Sequence, residues 1–123
     1  MKNMALSPPP VNVETLVASD RSAAMELLVD EAPNQTRVTI RGRFDANTTP
    51  EVRPRLDAIV NAKPLKVVID LAELHQIDST GVGGLVSLFK RIRAYGGQFT
   101  VQNLSGQPRG IFEILRLDRV FGV

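Results

Sequence analysis

The sequence predicts an α/β domain: a mixed, mostly parallel sheet of about four to five strands packed with about three helices. Three observations carry this. Lys66-Val67-Val68-Ile69-Asp70-Leu71 is a short continuous apolar run, the pattern of a strand covered on both faces. Val82, Leu85, Val86, Phe89 and Ile92 then recur at helical spacing, with Lys90, Arg91 and Arg93 turned away. Gly96-Gly97 stops that helix, and Gln98 to Asn103 alternates through Phe99 and Val101 as another strand. A strand–helix–strand unit implies parallel pairing.

The other elements follow in order. Pro8-Pro9-Pro10 and the small, polar stretch Ser19 to Ala24 make residues 1–24 read as a tail or loosely attached arm. Within it, Val11 to Val17 alternates too weakly to assign as a strand. Met25 to Val29 and Arg37 to Phe44 read as two strands joined by a turn around Pro33-Asn34, an antiparallel addition to the sheet. In the second, Val38, Ile40 and Phe44 alternate with Thr39, Arg41 and Arg43. The arginine row is read as the solvated face of an outer strand, with anion binding as the alternative.

Asn47-Thr48-Thr49-Pro50 is a helix start with Thr49 as N-cap and Pro50 in the first turn. Val52, Leu56, Ile59 and Val60 make its apolar stripe. Pro54 removes one helical hydrogen bond, so the regular helix is expected a few residues late. Near the C-terminus Ser105 caps a last helix with Ile111, Ile114 and Leu115 on its inner face. Val120 to Val123 reads as a short terminal strand.

Composition narrows the function classes. At 123 residues the chain suits one domain with its own core, and 43% hydrophobic with 23% charged residues is ordinary for a globular protein. There is no cysteine and one histidine, His75, placed in the loop before Ile77, which leaves little material for a metal site or a histidine-based catalytic array. Eleven of the fifteen basic residues are arginine, spread along the chain without a basic stripe or stacking aromatics, which argues against nucleic-acid binding. The N-terminus lacks the apolar core of a secretory signal, and no apolar run reaches membrane-spanning length; the expectation is a cytoplasmic protein.

Chemistry concentrates at Ile77-Asp78-Ser79-Thr80-Gly81-Val82-Gly83, where a strand gives way to the amphipathic helix. Open α/β sheets place their sites at the carboxyl ends of strands. Asp78 or Ser79 can cap the helix, but capping does not explain Gly81, Gly83 and Gly84, each costing roughly 1 kcal/mol relative to alanine. Close docking of a partner and tight packing on the chain's own sheet explain them equally well. Ser79 lacks a Gly-x-Ser-x-Gly elbow and no Gly-Lys-Ser/Thr follows the glycines, so neither a serine hydrolase nor a P-loop fits, and no enzymatic activity is expected. A phosphorylated Ser79 fits better. Helix N–H groups and the helix dipole stabilise phosphate there, and the added charge of about −1.5 to −2 can switch off a docked complex.

These residues resemble the STAS domain, specifically the bacterial anti-sigma factor antagonists, over roughly residues 25–121. Asp78-Ser79-Thr80-Gly81-Val82-Gly83 is similar to the family's Asp-Ser-Ser/Thr-Gly-Leu-Gly signature. Gly42-Arg43-Phe44-Asp45 is similar to its Gly-Glu-Leu-Asp, and Gly96-Gly97 with Phe99 to Ser105 matches the usual continuation. The resemblance implies a STAS domain over 25–123; no cofactor or metal is expected. It implies Ser79 as the phosphorylation site, with Thr80 a less favoured acceptor. Asp45, Asp78, Ser79, Thr80, Gly81, Val82 and Gly83 form the implied partner surface, with Asp78 able to orient the serine hydroxyl. The implied partners are an anti-sigma factor with a histidine-kinase-like ATPase fold, acting as a serine kinase, and a PP2C-type phosphatase. The unphosphorylated form binds the kinase and frees a sigma factor. Two departures stand out: Arg43 replaces the family's glutamate, and the chain stops at Val123, where many relatives carry a further helix. The alternative is a non-switching STAS subunit docked on an ABC-transporter ATPase.

Overall fold

The computed structural model describes residues 12–18 and 24–123. It contains β1 (Asn12–Ala18), β2 (Met25–Glu31), β3 (Gln35–Phe44), α1 (Thr49–Asn61), β4 (Lys66–Asp70), β5 (Leu74–Ile77), α2 (Ser79–Ala94), β6 (Gln98–Gln102), α3 (Gly106–Ile114) and α4 (Leu117–Phe121). The expected mixed, mostly parallel α/β architecture is present, with one strand and one helix more than the upper expectation. The sheet order is β1-β2-β3-β4-β6, and β5 adds to β3. β1–β2 and β2–β3 are antiparallel; β3–β4, β3–β5 and β4–β6 are parallel.

Alternation along β2 and β3 sends Met25, Leu27, Val29, Val38, Ile40 and Phe44 to one face, where they meet Val67 and Ile69 of β4. Val52, Leu56 and Ile59 of α1, Val82, Leu85, Leu88 and Ile92 of α2, Phe112 of α3 and Phe121 of α4 complete that cluster. All four helices thus serve one core. The opposite sheet face is polar, although Val68 within it is only 2% exposed.

Several expectations are corrected. β3 is a central strand, not an outer one. Two of its three arginines face acids on neighbouring segments: Arg37 pairs with Asp70 at 2.5 Å, and Arg41 with Glu26 at 3.4 Å and Glu73 at 3.0 Å. Burial by itself would raise the Asp70 carboxyl. Bonds from the Ala72 N–H, the Asn103 amide and Arg37, with the arginine charge, hold it below the ordinary value of 3.8 instead.

His75 lies in β5 rather than in a loop. The β3–β5 register slips between Gly42 and Arg43, so that Leu74 opposes Gly42 and Gln76 opposes Arg43. α1 runs through Pro54 from Thr49 without a late start. Pro50 and Pro54 are both exposed, so the carbonyl that loses its helical donor can be hydrated. On α3, Phe112 and Pro108 face the core, while Ile114 is 77% and Leu115 49% exposed.

The segment expected as a terminal strand is α4. Phe121 there meets Phe89, Phe99 and Phe112 at centroid distances of 5.2–5.6 Å. Left-handed Arg116 and Gly122 bracket this single turn.

Within the expected arm, residues 12–18 are β1, paired with β2 along its whole length from Asn12 opposite Glu31 to Ala18 opposite Met25. The proline run at 8–10 and most of the small polar stretch, residues 19–23, lie outside the described residues. Among the described residues no helix is long and apolar enough to cross a membrane.

Candidate functional site at the starts of two helices

The carboxyl ends of β3 and β5 deliver the chain side by side into α1 and α2. Gly42 makes this convergence possible. It sits at φ 87°, and a Cβ there would stand 2.3 Å from the Ala24 carbonyl oxygen. The Arg43 N–H donates to the same oxygen at 2.6 Å, and the Gly42 N–H donates to Glu73 O at 2.9 Å.

The turn after β3 is held by two side chains. Asp45 Oδ1 accepts from the N–H groups of Asn47 (2.9 Å) and Thr48 (3.1 Å). The Thr48 hydroxyl accepts from Asp45 N–H and donates to Arg43 O, both at 2.9 Å. Thr48, not Thr49, is therefore the N-cap residue of α1, and its hydroxyl is committed to the turn behind it. Thr49 is the first helical residue, fully buried.

At the second helix, Asp78 is the cap. Its Oδ1 accepts from Gly81 N–H at 3.0 Å, and its Oδ2 accepts from Ala46 N–H, also at 3.0 Å. One carboxylate thus ties the start of α2 to the turn before α1. Both of its oxygens are engaged by backbone, and the bonds it makes go to Gly81 and Ala46 rather than to the Ser79 hydroxyl.

Ser79 follows as the first residue of the 16-residue α2 and is exposed. Thr80 is half-buried, Gly81 and Val82 are buried, and Gly83 is exposed. Asp45, Asp78, Ser79, Thr80 and Gly83 accordingly reach one surface, and Gly81 and Val82 support it from below.

The three glycines do different things. A Cβ on Gly81 would lie 2.1 Å from Phe44 O and 2.8 Å from Ile77 Cγ1, so packing on the chain's own sheet requires glycine there. On Gly84 it would lie 3.2 Å from Phe44 Cζ, a tight fit against a ring. On Gly83 it would meet nothing within 4 Å. Packing explains Gly81 and much of Gly84, and leaves Gly83 to another cause. Gly83 and Gly84 open onto a groove of ≈ 450 Å³ between α1 and α2, lined also by Thr80, Ser87, Arg53 and the Asp57–Arg91 ion pair.

One residue of this region carries no sequence signal. The Gln107 side chain, in the first turn of α3, accepts from Ile77 N–H at 2.9 Å and donates to Ile77 O at 3.0 Å. A glutamine two residues after a helix cap is compatible with any exposed first turn, so only the tertiary arrangement reveals its partner.

The STAS domain model matches residues 26–123. The chain belongs to the STAS domain family. It is 30% identical over 86 residues to the anti-sigma-B factor antagonist of Listeria monocytogenes, spanning 70% of this chain and 75% of that protein. The anti-sigma-B factor antagonist of Bacillus subtilis is 28% identical over 95 residues, 77% of this chain and 86% of that protein. Among solved structures, an anti-sigma factor antagonist from Mycobacterium paratuberculosis superposes with a TM-score of 0.70 at 23% identity, covering 86% of this chain and 87% of that one. The STAS fold therefore extends across the described domain, and the Asp78-Ser79 junction lies within the matched region.

Proposed function

We propose that this STAS domain is an anti-sigma factor antagonist acting as a phosphorylation-gated binding module in the cytoplasm. In its unphosphorylated form it sequesters an anti-sigma factor with a histidine-kinase-like ATPase fold. That partner, acting as a serine kinase, phosphorylates Ser79, and a PP2C-type phosphatase removes the phosphate. Residues 25–123 carry the working STAS domain, with β1 added to its sheet edge.

The observation that carries this reading is the placement of Ser79: an exposed residue at the first position of a long helix, beside Asp78, whose carboxylate is already committed to backbone N–H groups. The first N–H groups of a helix lack intrahelical acceptors, and the helix dipole favours an anion. A phosphate on Ser79 can be accommodated without rebuilding the fold. On a docked surface it would sit among the carboxylates of Asp45 and Asp78 and whatever acids the partner presents. A penalty of about 3 kcal/mol lowers affinity about a hundredfold, enough to break a complex. The names of the relatives support the class of partner, and an exposed Ser79 at the start of α2 supports the switch. The proposed action of the domain is binding.

The test is purification of the tagged chain from its native cells with identification of bound proteins and phosphosites. Recovery of a kinase-like ATPase, with phosphate on Ser79 only in the unbound pool, is expected. Ser79→Ala should hold that ATPase constitutively and Ser79→Asp should release it. Recovery of transporter ATPase subunits with Ser79 unmodified would replace this reading with the non-switching one.

A further inference from the structure

A parallel-sheet residue turns its own N–H and C=O to the same side, so alternate residues of a strand address opposite neighbours. In β5 the residues on either side of Ile77 serve β3: Gln76 and Ile77 run beside Arg43 and Phe44, and Asp78 N–H donates to Phe44 O at 3.3 Å. Ile77 therefore directs both of its backbone groups away from β3, toward the open edge of β5. The carboxamide of Gln107 meets both, at 2.9 and 3.0 Å, in the manner of one residue of an additional strand.

This pairing is next in the chain to the switch. Ile77 precedes Asp78, and its Cγ1 lies 2.8 Å from where a Cβ on Gly81 would stand, so Ile77 also abuts the first turn of α2. The approach of α3 is set by two left-handed residues, Asn103 at φ 61° and Gly106 at φ 64°. Arg109 Nε donates to Leu104 O at 3.1 Å and closes the same turn. Phe112, fully buried, anchors the other end of α3. Gln107 is thus presented by a fixed element.

We propose that Gln107 is a positioning residue for Ser79: its carboxamide fixes the Ile77 backbone, and through it the Asp78 cap and the helix-start N–H groups that receive a phosphate. The inference rests on the reading of Ser79 as the acceptor and adds to it a control exerted from the C-terminal helices. The competing role is purely local, in which Gln107 only docks α3 on the edge of β5.

The two roles separate in the full chain carrying phosphoserine at position 79, installed during synthesis so that no kinase is needed. Phosphorus NMR gives the second ionisation of the phosphate, which is about 6 for an ordinary phosphoserine and is set here by the helix-start N–H groups against the Asp45 and Asp78 carboxylates, so it should differ from that of a peptide of residues 76–82. Amide exchange at Ile77 and Gly81 gives local opening. Gln107→Leu removes both bonds. It should speed exchange at Gly81 as well as Ile77 by about fivefold, the equivalent of one ordinary hydrogen bond. It should also move the phosphate ionisation toward the peptide value by about 0.3 pH unit.

Gln107→Glu keeps an acceptor for Ile77 N–H but sets a carboxylate against Ile77 O. When protonated it regains the donor, so slow Gly81 exchange should return at acid pH, after correction for the intrinsic rate. This variant also gives the answer if Gln107→Leu fails to fold. Wild-type exchange at Gly81 and a wild-type phosphate ionisation in both variants, with only Ile77 opened, would overturn the proposal. Absence of Ser79 phosphate in native cells would instead defeat the switch itself while leaving these two measurements intact.

Discussion

Gly81 and Gly83 are two residues apart on the same helix, and the same substitution at each should change stability in opposite directions. Alanine in place of glycine favours a helix by about 1 kcal/mol. At Gly83 nothing within 4 Å opposes that gain, so Gly83→Ala should stabilise the domain by about 0.5–1 kcal/mol. At Gly81 the added methyl would stand 2.1 Å from Phe44 O and 2.9 Å from Phe44 C, both backbone atoms of a buried central strand.

Carbon–heavy-atom contacts relax only near 3.5 Å, so the start of α2 must back away from β3 by roughly 1.4 Å. That motion stretches the Asp78 N–H bond to Phe44 O, now 3.3 Å, and shifts the Asp78 cap. Overpacking costs about 1–3 kcal/mol and a lost backbone bond about 1 kcal/mol. Net of the helix gain, Gly81→Ala should destabilise by about 1–3 kcal/mol, leaving the two variants about 2–4 kcal/mol apart. Urea unfolding resolves this: at a slope of about 1–3 kcal/mol per molar, the midpoints should differ by about 0.7 M or more. A Gly81→Ala midpoint at or above wild type, or a Gly83→Ala midpoint below it, would refute the reasoning. If Gly83→Ala is more stable yet captures less partner, the open face of Gly83 belongs to the docking surface.

Other expectations follow from the same contacts. Asp78→Ala should lose about 0.5–2 kcal/mol for the helix cap, with exchange rising at both Gly81 and Ala46, because one carboxylate serves both amides. Ser79→Ala should stay within about 0.5 kcal/mol of wild type by thermal unfolding, since its side chain is exposed, so any change in partner binding can be read directly. Phe112→Ala should cost about 3–5 kcal/mol by urea unfolding, because Phe112 is fully buried against Phe121.

The Asp70 carboxyl is held below its ordinary value, so the unfolded chain binds that proton more tightly than the folded one. Its contribution is present above about pH 4, near the unfolded carboxyl value, and fades as pH falls through the lower folded value. Asp70→Asn should therefore flatten the acid limb of the stability profile, measured as melting temperature against pH.

Much of this architecture is legible in the chain because it rests on local pattern. The stripe Val82, Leu85, Val86, Phe89, Ile92 spans more than two turns and lies wholly within α2; the run Val67 to Ile69 lies within β4. The site is legible for a related reason: Asp78-Ser79-Thr80-Gly81 combines a cap, a hydroxyl and a glycine at a strand–helix junction.

Short elements escape this kind of reading. Leu74-His75-Gln76-Ile77 buries only its two ends and exists as a strand because β3 continues past β4 and offers it an edge. Val120 to Val123 has the β-branched and aromatic content of a strand, but burial of Phe121 among three other phenylalanines decides for a helical turn.

By itself, then, the sequence determined the alternation of strands and helices and the chemistry of the Asp78-Ser79 junction, because periodicity and capping act between residues close in the chain. The tertiary structure decided which glycine is packed and which is open. It also made β3 a central strand and brought Gln107 onto Ile77, 30 positions away. Those outcomes depend on which backbones approach one another, and no local pattern records that.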